Sequence, residues 1–153
     1  MYSTEVSRHI DAPRSVVYSA LLDARAITQW RVPTGMTSQV HDFDAREGGS
    51  FRISLTYDAP TGTGKSAAQT DTYHGHFVRI LPNEQVVEAF EFETTAAELR
   101  GEMTMTTTLA DSRGGTLVSI VHVGIPDAVP AADNEMGTRM ALDKLAMLVE
   151  KDL

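Results

Sequence analysis

Residues 59–66 read Ala59-Pro60-Thr61-Gly62-Thr63-Gly64-Lys65-Ser66, the loosest form of a nucleotide-binding loop: a small residue, four spacers, then Gly-Lys-Ser. Two incompatible architectures compete for this stretch. A working phosphate loop follows a strand and opens a helix, and the helix N-terminus and loop amides together hold the phosphates. A preceding strand fits, because Phe51, Ile53, Leu55 and Tyr57 alternate with polar residues. A following helix does not. Only Ala67-Ala68-Gln69 separate the motif from Thr70-Asp71-Thr72 and from residues 73–80, which read as another strand. No aspartate ends an apolar strand to hold magnesium, since Val118-Ser119-Ile120-Val121 leads into His122. The stretch therefore reads as a glycine-rich hairpin connection whose match is a coincidence of turn chemistry.

Period-two alternation continues on both sides of it. Strands are expected over 38–45, 50–57, 72–80, 85–93, 102–110 and 116–125, bounded by Glu47-Gly48-Gly49, Pro82-Asn83-Glu84 and Arg113-Gly114-Gly115. Short connections favour an antiparallel meander. Before it, residues 2–10 read as a first strand. Asp11-Ala12-Pro13 supplies a helix start, with Asp11 as capping candidate and Pro13 at the first helical position. Asp23 caps a second short helix carrying Ile27 and Trp30, ended by Pro33 and Gly35. The last segment, 131–153, is helical: Ala141, Leu142, Leu145, Leu148 and Val149 share one stripe, and Met136, Met140 and Met147 a narrow one nearly opposite. The sum is one α+β domain over residues 1–153.

A chain of 153 residues with formal charge −8 lacks the clustered Lys and Arg that phosphate contacts require, so no nucleic acid is expected as partner. The absence of a basic run also argues against an anionic membrane surface. No segment approaches about 18 consecutive apolar residues. The start of the chain lacks a signal-peptide layout. Without cysteine there is no disulfide, thiol nucleophile or thiolate metal site, and the expected location is cytoplasmic.

Several pieces, in order and spacing, resemble the SRPBCC (START-like) superfamily, closest to the branch named for the activator of the heat-shock-protein-90 ATPase. They are Ile10-Asp11-Ala12-Pro13-Arg14, then Val17 to Asp23 with Ile27, Trp30 and Pro33, and the hairpin Asp44-Ala45-Arg46-Glu47-Gly48-Gly49-Ser50-Phe51. Tyr73 to Pro82 with Gly75 and Ile80, Gly115-Thr116 with Val118, Ile120 and His122, and Gly137 through Leu145 extend the likeness over nearly the whole chain. The resemblance implies a helix-grip fold: a curved antiparallel seven-stranded sheet wrapped around a long C-terminal helix, with two short helices after the first strand. In many members a cavity between sheet and helix holds an apolar molecule. Fold alone supplies no activity. One departure stands out, because the branch often has Gly-Trp near the start of the last helix and this chain has Gly137-Thr138. Removing an indole from that wall predicts a larger cavity unless neighbours fill it.

The leading expectation is a domain that binds a small apolar molecule, with neither metal nor cofactor and no residue assigned to catalysis. Strand parity and helix phase nominate its lining: Trp30 from the second helix, Met36 and Phe43 beside it, and Phe51, Ile53, Leu55 and Tyr57 from one strand. Tyr73, Met103, Met105 and His122 follow from later strands, and Thr138, Met140, Leu142 and Leu145 from the last helix. Trp30 also has a purely structural use, as a plug at the helix–sheet junction. A slip of one residue would invert any strand.

The alternatives are a cyclase- or hydrolase-like enzyme acting on a hydrophobic cyclic or polyketide-like substrate, and a co-chaperone-like interaction module. In the enzyme, Tyr57, Tyr73 or His122 would move protons, with Arg52 among the groups able to orient a ligand. His74 and His76 share a strand face, but two strands separate them from His122, roughly 14 Å at about 4.8 Å per strand, too far for one ion. Glu88 and Glu91 fall on opposite faces and form no acid/base pair. No Gly-x-Ser-x-Gly elbow sets up a nucleophile. The methionine stripe suits a pocket mouth, the underside of the long loop, or a second subunit in a homodimer.

Overall fold

The computed structural model describes residues 1–58 and 69–150. Its strands are β1 (Tyr2–Ile10), β2 (Met36–Phe43), β3 (Ser50–Tyr57), β4 (Thr70–Leu81), β5 (Gln85–Phe92), β6 (Met103–Ser112) and β7 (Gly115–Ile125). Its helices are α1 (Arg14–Leu21), α2 (Ala24–Trp30) and α3 (Ala131–Glu150). The strands form one antiparallel sheet in the order β1-β7-β6-β5-β4-β3-β2, a meander from β2 to β7 with β1 added beside β7. Bulges between Val40 and Asp42 and between Phe77 and Arg79 bend the strands that carry them. This is the helix-grip arrangement, with α3 held against the concave face.

Residues 59–68, with Lys65 and the rest of the opening motif, lie outside the described residues. Their flanks settle the architecture all the same. β3 and β4 pair directly and antiparallel, Thr56 opposite Thr70, so this segment joins adjacent strands rather than a strand to a crossover helix.

Local chemistry accounts for the helix starts. The Asp23 carboxylate accepts from the backbone N–H of Arg25 (2.8 Å) and Ala26 (3.2 Å), satisfying orphan donors of α2. The expectation for α1 needs correction. Pro13 occupies the N-cap itself without a side-chain cap, and Asp11 turns instead to His9 Nε2 at 2.8 Å. The α3 end is tied to β1 and its neighbours by side chains. Tyr2 Oη donates to the Val129 carbonyl, Thr4 Oγ1 to Asn134 Oδ1 (2.5 Å) and Arg8 Nε to Asp143 (2.8 Å). Lys144 Nζ donates to the Val32 carbonyl just beyond α2 (2.6 Å).

Along the concave face the filling is uneven. Phe43, Phe51, Ile53, Phe77, Val86, Leu109 and Val118 come from one end of their strands, and they pack with Leu142, Leu145 and Val149 from the C-terminal half of α3. The N-terminal half of α3 offers smaller or flexible groups there, Gly137, Thr138, Met140 and Ala141. The solid core therefore ends part-way along the helix. No helix among the described residues is long and apolar enough to cross a membrane.

Candidate functional site

Beyond that core lies a cavity of about 450 Å³ between the sheet and the first turns of α3. Antiparallel geometry decides which half of each strand reaches it. The last residues of β3 (Leu55, Tyr57) and β5 (Phe90, Phe92) line it, with the first of β4 (Asp71, Tyr73) and β6 (Met103, Met105), and Ile120 and His122 from β7. Trp30 to Thr34 and Met36 close one side, and Val129 with Asp133, Asn134, Met136 to Thr138, Met140 and Ala141 of α3 the other.

Of the residues nominated from sequence, Trp30, Met36, Leu55, Tyr57, Tyr73, Met103, Met105, His122, Thr138 and Met140 border this space. Phe43, Phe51, Ile53, Leu142 and Leu145 do not, and are corrected here. Their side chains point inward as parity requires, but from the filled end, where Phe51, Ile53, Leu142 and Leu145 are buried in the core and Phe43 packs edge-on against Phe77. Trp30 serves both uses weighed for it: Nε1 donates to the Ala20 carbonyl (3.0 Å) while the indole borders the cavity. Thr138 is buried, its hydroxyl spent on the Asn134 carbonyl (2.9 Å), and open space remains beside it. Met136 and Met140 reach the cavity wall, whereas Met147 stands 67% exposed elsewhere.

The main polar feature of the wall escaped the sequence reading. Arg31, directly after Trp30, turns its guanidinium inward and donates from Nη1 to Glu88 at 2.6 Å, the two side chains only 13% and 7% exposed. Its Cζ lies 5.4 Å from the Tyr73 ring centroid, 5.7 Å from that of Phe90 and 6.0 Å from that of Phe51, a cation held among three aromatic rings. Burial alone would lower the Arg31 pKa, but Glu88 and Tyr73 more than offset it, so the guanidinium stays charged. Glu88 shares the inward parity of Val86 and Phe90, and a carboxylate on a core-facing row signals a buried cation. That signal was available, and only its partner was not.

His122 is the second polar group. Its Nδ1 is buried without a hydrogen-bond partner among the described residues, and its ring meets Phe90 edge-on at 6.4 Å. Burial, then the Arg31 charge, lowers its pKa to about 4, so it is neutral at pH 7. Burial likewise raises the Tyr73 phenol.

The remaining nominated polar groups face away. Arg52 forms a two-bond contact with Glu93 (2.8 and 2.9 Å), and His74 Nδ1 meets the same carboxylate at 2.9 Å. Arg52 is thus corrected from ligand-orienting group to outer-face tie. Glu91 lies 3.3 Å from His74, on the face opposite to Glu88. Strands β5 and β6 stand between the His74 strand and that of His122.

The family model described as Activator of Hsp90 ATPase homolog 1-like protein matches residues 11–150. The chain belongs to that family. It is similar throughout to protein CV1439 from Chromobacterium violaceum, with 31% identity over 98% of this chain and 99% of that one and a TM-score of 0.85. A structure from Rhodobacter sphaeroides (19% identity, 99% and 93% coverage, TM-score 0.81) shares the fold. So does an AHSA1-like protein from Aeromonas hydrophila (18%, 99% and 94%, TM-score 0.73). A comparison with curated proteins gives no match. For an Activator of Hsp90 ATPase homolog 1-like chain, membership fixes the SRPBCC architecture, and function must come from the cavity itself.

Proposed function

We propose that this chain binds a small, mainly apolar molecule in the cavity between the sheet and α3. One observation carries the reading: a space of about 450 Å³ walled largely by apolar and aromatic side chains, with Arg31, Asp71 and His122 among its few largely buried polar groups. Concave apolar sites with sparse, fixed polar groups are the usual form of small-molecule sites.

The chemistry of those groups favours holding over converting. A general acid or base works best with a pKa near the working pH. His122, lowered to about 4, is a weak base, and the Tyr73 phenol is shifted away from neutrality. Both suit hydrogen bonding better than proton transfer. Native mass spectrometry of the protein purified from its own cells tests the reading. The expected result is a retained small molecule released on denaturation. Protein free of any such molecule, and unable to take up an apolar fluorophore, would overturn it. Conversion of a released compound on incubation would favour the cyclase- or hydrolase-like alternative.

A further inference from the structure

We infer that the cavity selects an uncharged molecule bearing an oxygen function, a carbonyl or a hydroxyl, seated between Arg31 and His122, and that it disfavours carboxylates. This rests on the cavity being a binding site and adds the chemical class of its occupant. A guanidinium carries five N–H donors. Among the described residues the Arg31 side chain makes one hydrogen bond, to Glu88, although it borders the cavity. His122 Nδ1 is likewise buried without a partner. The Phe90 ring adjoins both groups, 5.7 Å from Arg31 Cζ and 6.4 Å from the imidazole centroid, so the two polar groups flank one ring of the wall. An occupant that brings an oxygen to this part of the wall gives the spare Arg31 donors an acceptor that a hydrocarbon cannot supply.

Charge selects among oxygens. Glu88 already neutralises Arg31, and Asp133 also stands on the wall. A ligand carboxylate would add negative charge where the inward cation Arg31 is already engaged by Glu88. A carbonyl accepts from a spare Arg31 N–H, and a hydroxyl accepts from Arg31 while its own O–H can turn toward the His122 imidazole on the same wall. A plain hydrocarbon satisfies neither.

Isothermal titration of the full chain at pH 7 with four ligands substituted at the same ring carbon tests this: ethylnaphthalene, acetylnaphthalene, hydroxyethylnaphthalene and naphthoate. The ketone, the alcohol or both should bind about tenfold tighter than the hydrocarbon, the value of one hydrogen bond to a charged donor, and naphthoate should bind more weakly than either. In His122→Phe, and in Arg31→Met combined with Glu88→Met, the ketone-to-hydrocarbon ratio should shrink toward one. Equal binding of ketone, alcohol and hydrocarbon, or tightest binding of naphthoate, overturns this inference and leaves the cavity reading standing. Failure of all four to bind overturns both. The unmodified protein decides the matter even where a variant does not fold.

Discussion

Arg31 and Glu88 stabilise each other only as a pair. Two charges removed from water recover the cost through a 2.6 Å contact, and each alone would be stranded. Arg31→Met should therefore lower unfolding free energy by about 3–5 kcal/mol, and adding Glu88→Met should restore most of it. Urea midpoints of the two variants read this directly; equal losses would show that the carboxylate is not buried in the folded state. His122 makes a pH-dependent contribution of the opposite kind. Its folded pKa, about 4, lies below its ordinary value of 6.5, so the unfolded chain takes up the proton first as pH falls. Stability from this residue is full above about 6.5, declines toward pH 4 and is level below, a span of about 3 kcal/mol. His122→Phe should remove that decline from urea titrations between pH 7 and 4.5. Glu93 acts in a lower window. Held near 2, chiefly by the Arg52 hydrogen bond, it contributes above about 4.5 and loses its contribution as pH falls toward 2.

Two glycines inside regular elements behave oppositely because their surroundings differ. Gly137 lies in α3, where an added Cβ would meet no atom within 4 Å. Glycine there costs helix stability without being required by packing, so Gly137→Ala should stabilise by about 1 kcal/mol. A thermal midpoint that falls would mean the helix needs the glycine for a closer approach than its surroundings show. Gly75 lies in β4 opposite Phe90, and a Cβ on it would fall 2.0 Å from the Ala89 carbonyl oxygen and 2.7 Å from Phe90 Cβ. The Phe90 backbone and Cβ thus occupy the space that a side chain at 75 would need. Gly75→Ala should cost at least about 2 kcal/mol and loosen the aromatic surround of the guanidinium. Near-ultraviolet circular dichroism and urea midpoints would register both effects, and an unchanged midpoint would refute the clash.

The sheet was legible because alternation has only one structural solution once strands are joined by short turns. Ser50–Tyr57 appears with the bounds expected, and Phe51, Ile53, Tyr73, Met103, Met105 and His122 are buried. What parity cannot carry is position along the strand. Phe51 and Tyr57 share a face, yet one is core and the other cavity wall, because α3 fills its C-terminal half with leucines and leaves its N-terminal half thin. The Arg31–Glu88 pair was illegible for a related reason, since a contact between residues 57 apart is made by the closed fold. The thin half of α3 gives a test of the molecule as a unit. Thr138 is buried on the α3 wall, and the space beside it is open. Thr138→Trp should drive an indole, able to bury roughly 150–250 Å², into the cavity without disturbing the leucine-packed end. The expected outcome is a protein as stable as the parent or more so, because apolar area is buried, that no longer retains a small molecule in native mass spectra. Loss of stability would mean the α3 wall is too rigid to admit the ring. An unaltered complement of bound molecule would place the occupant away from the first turns of α3.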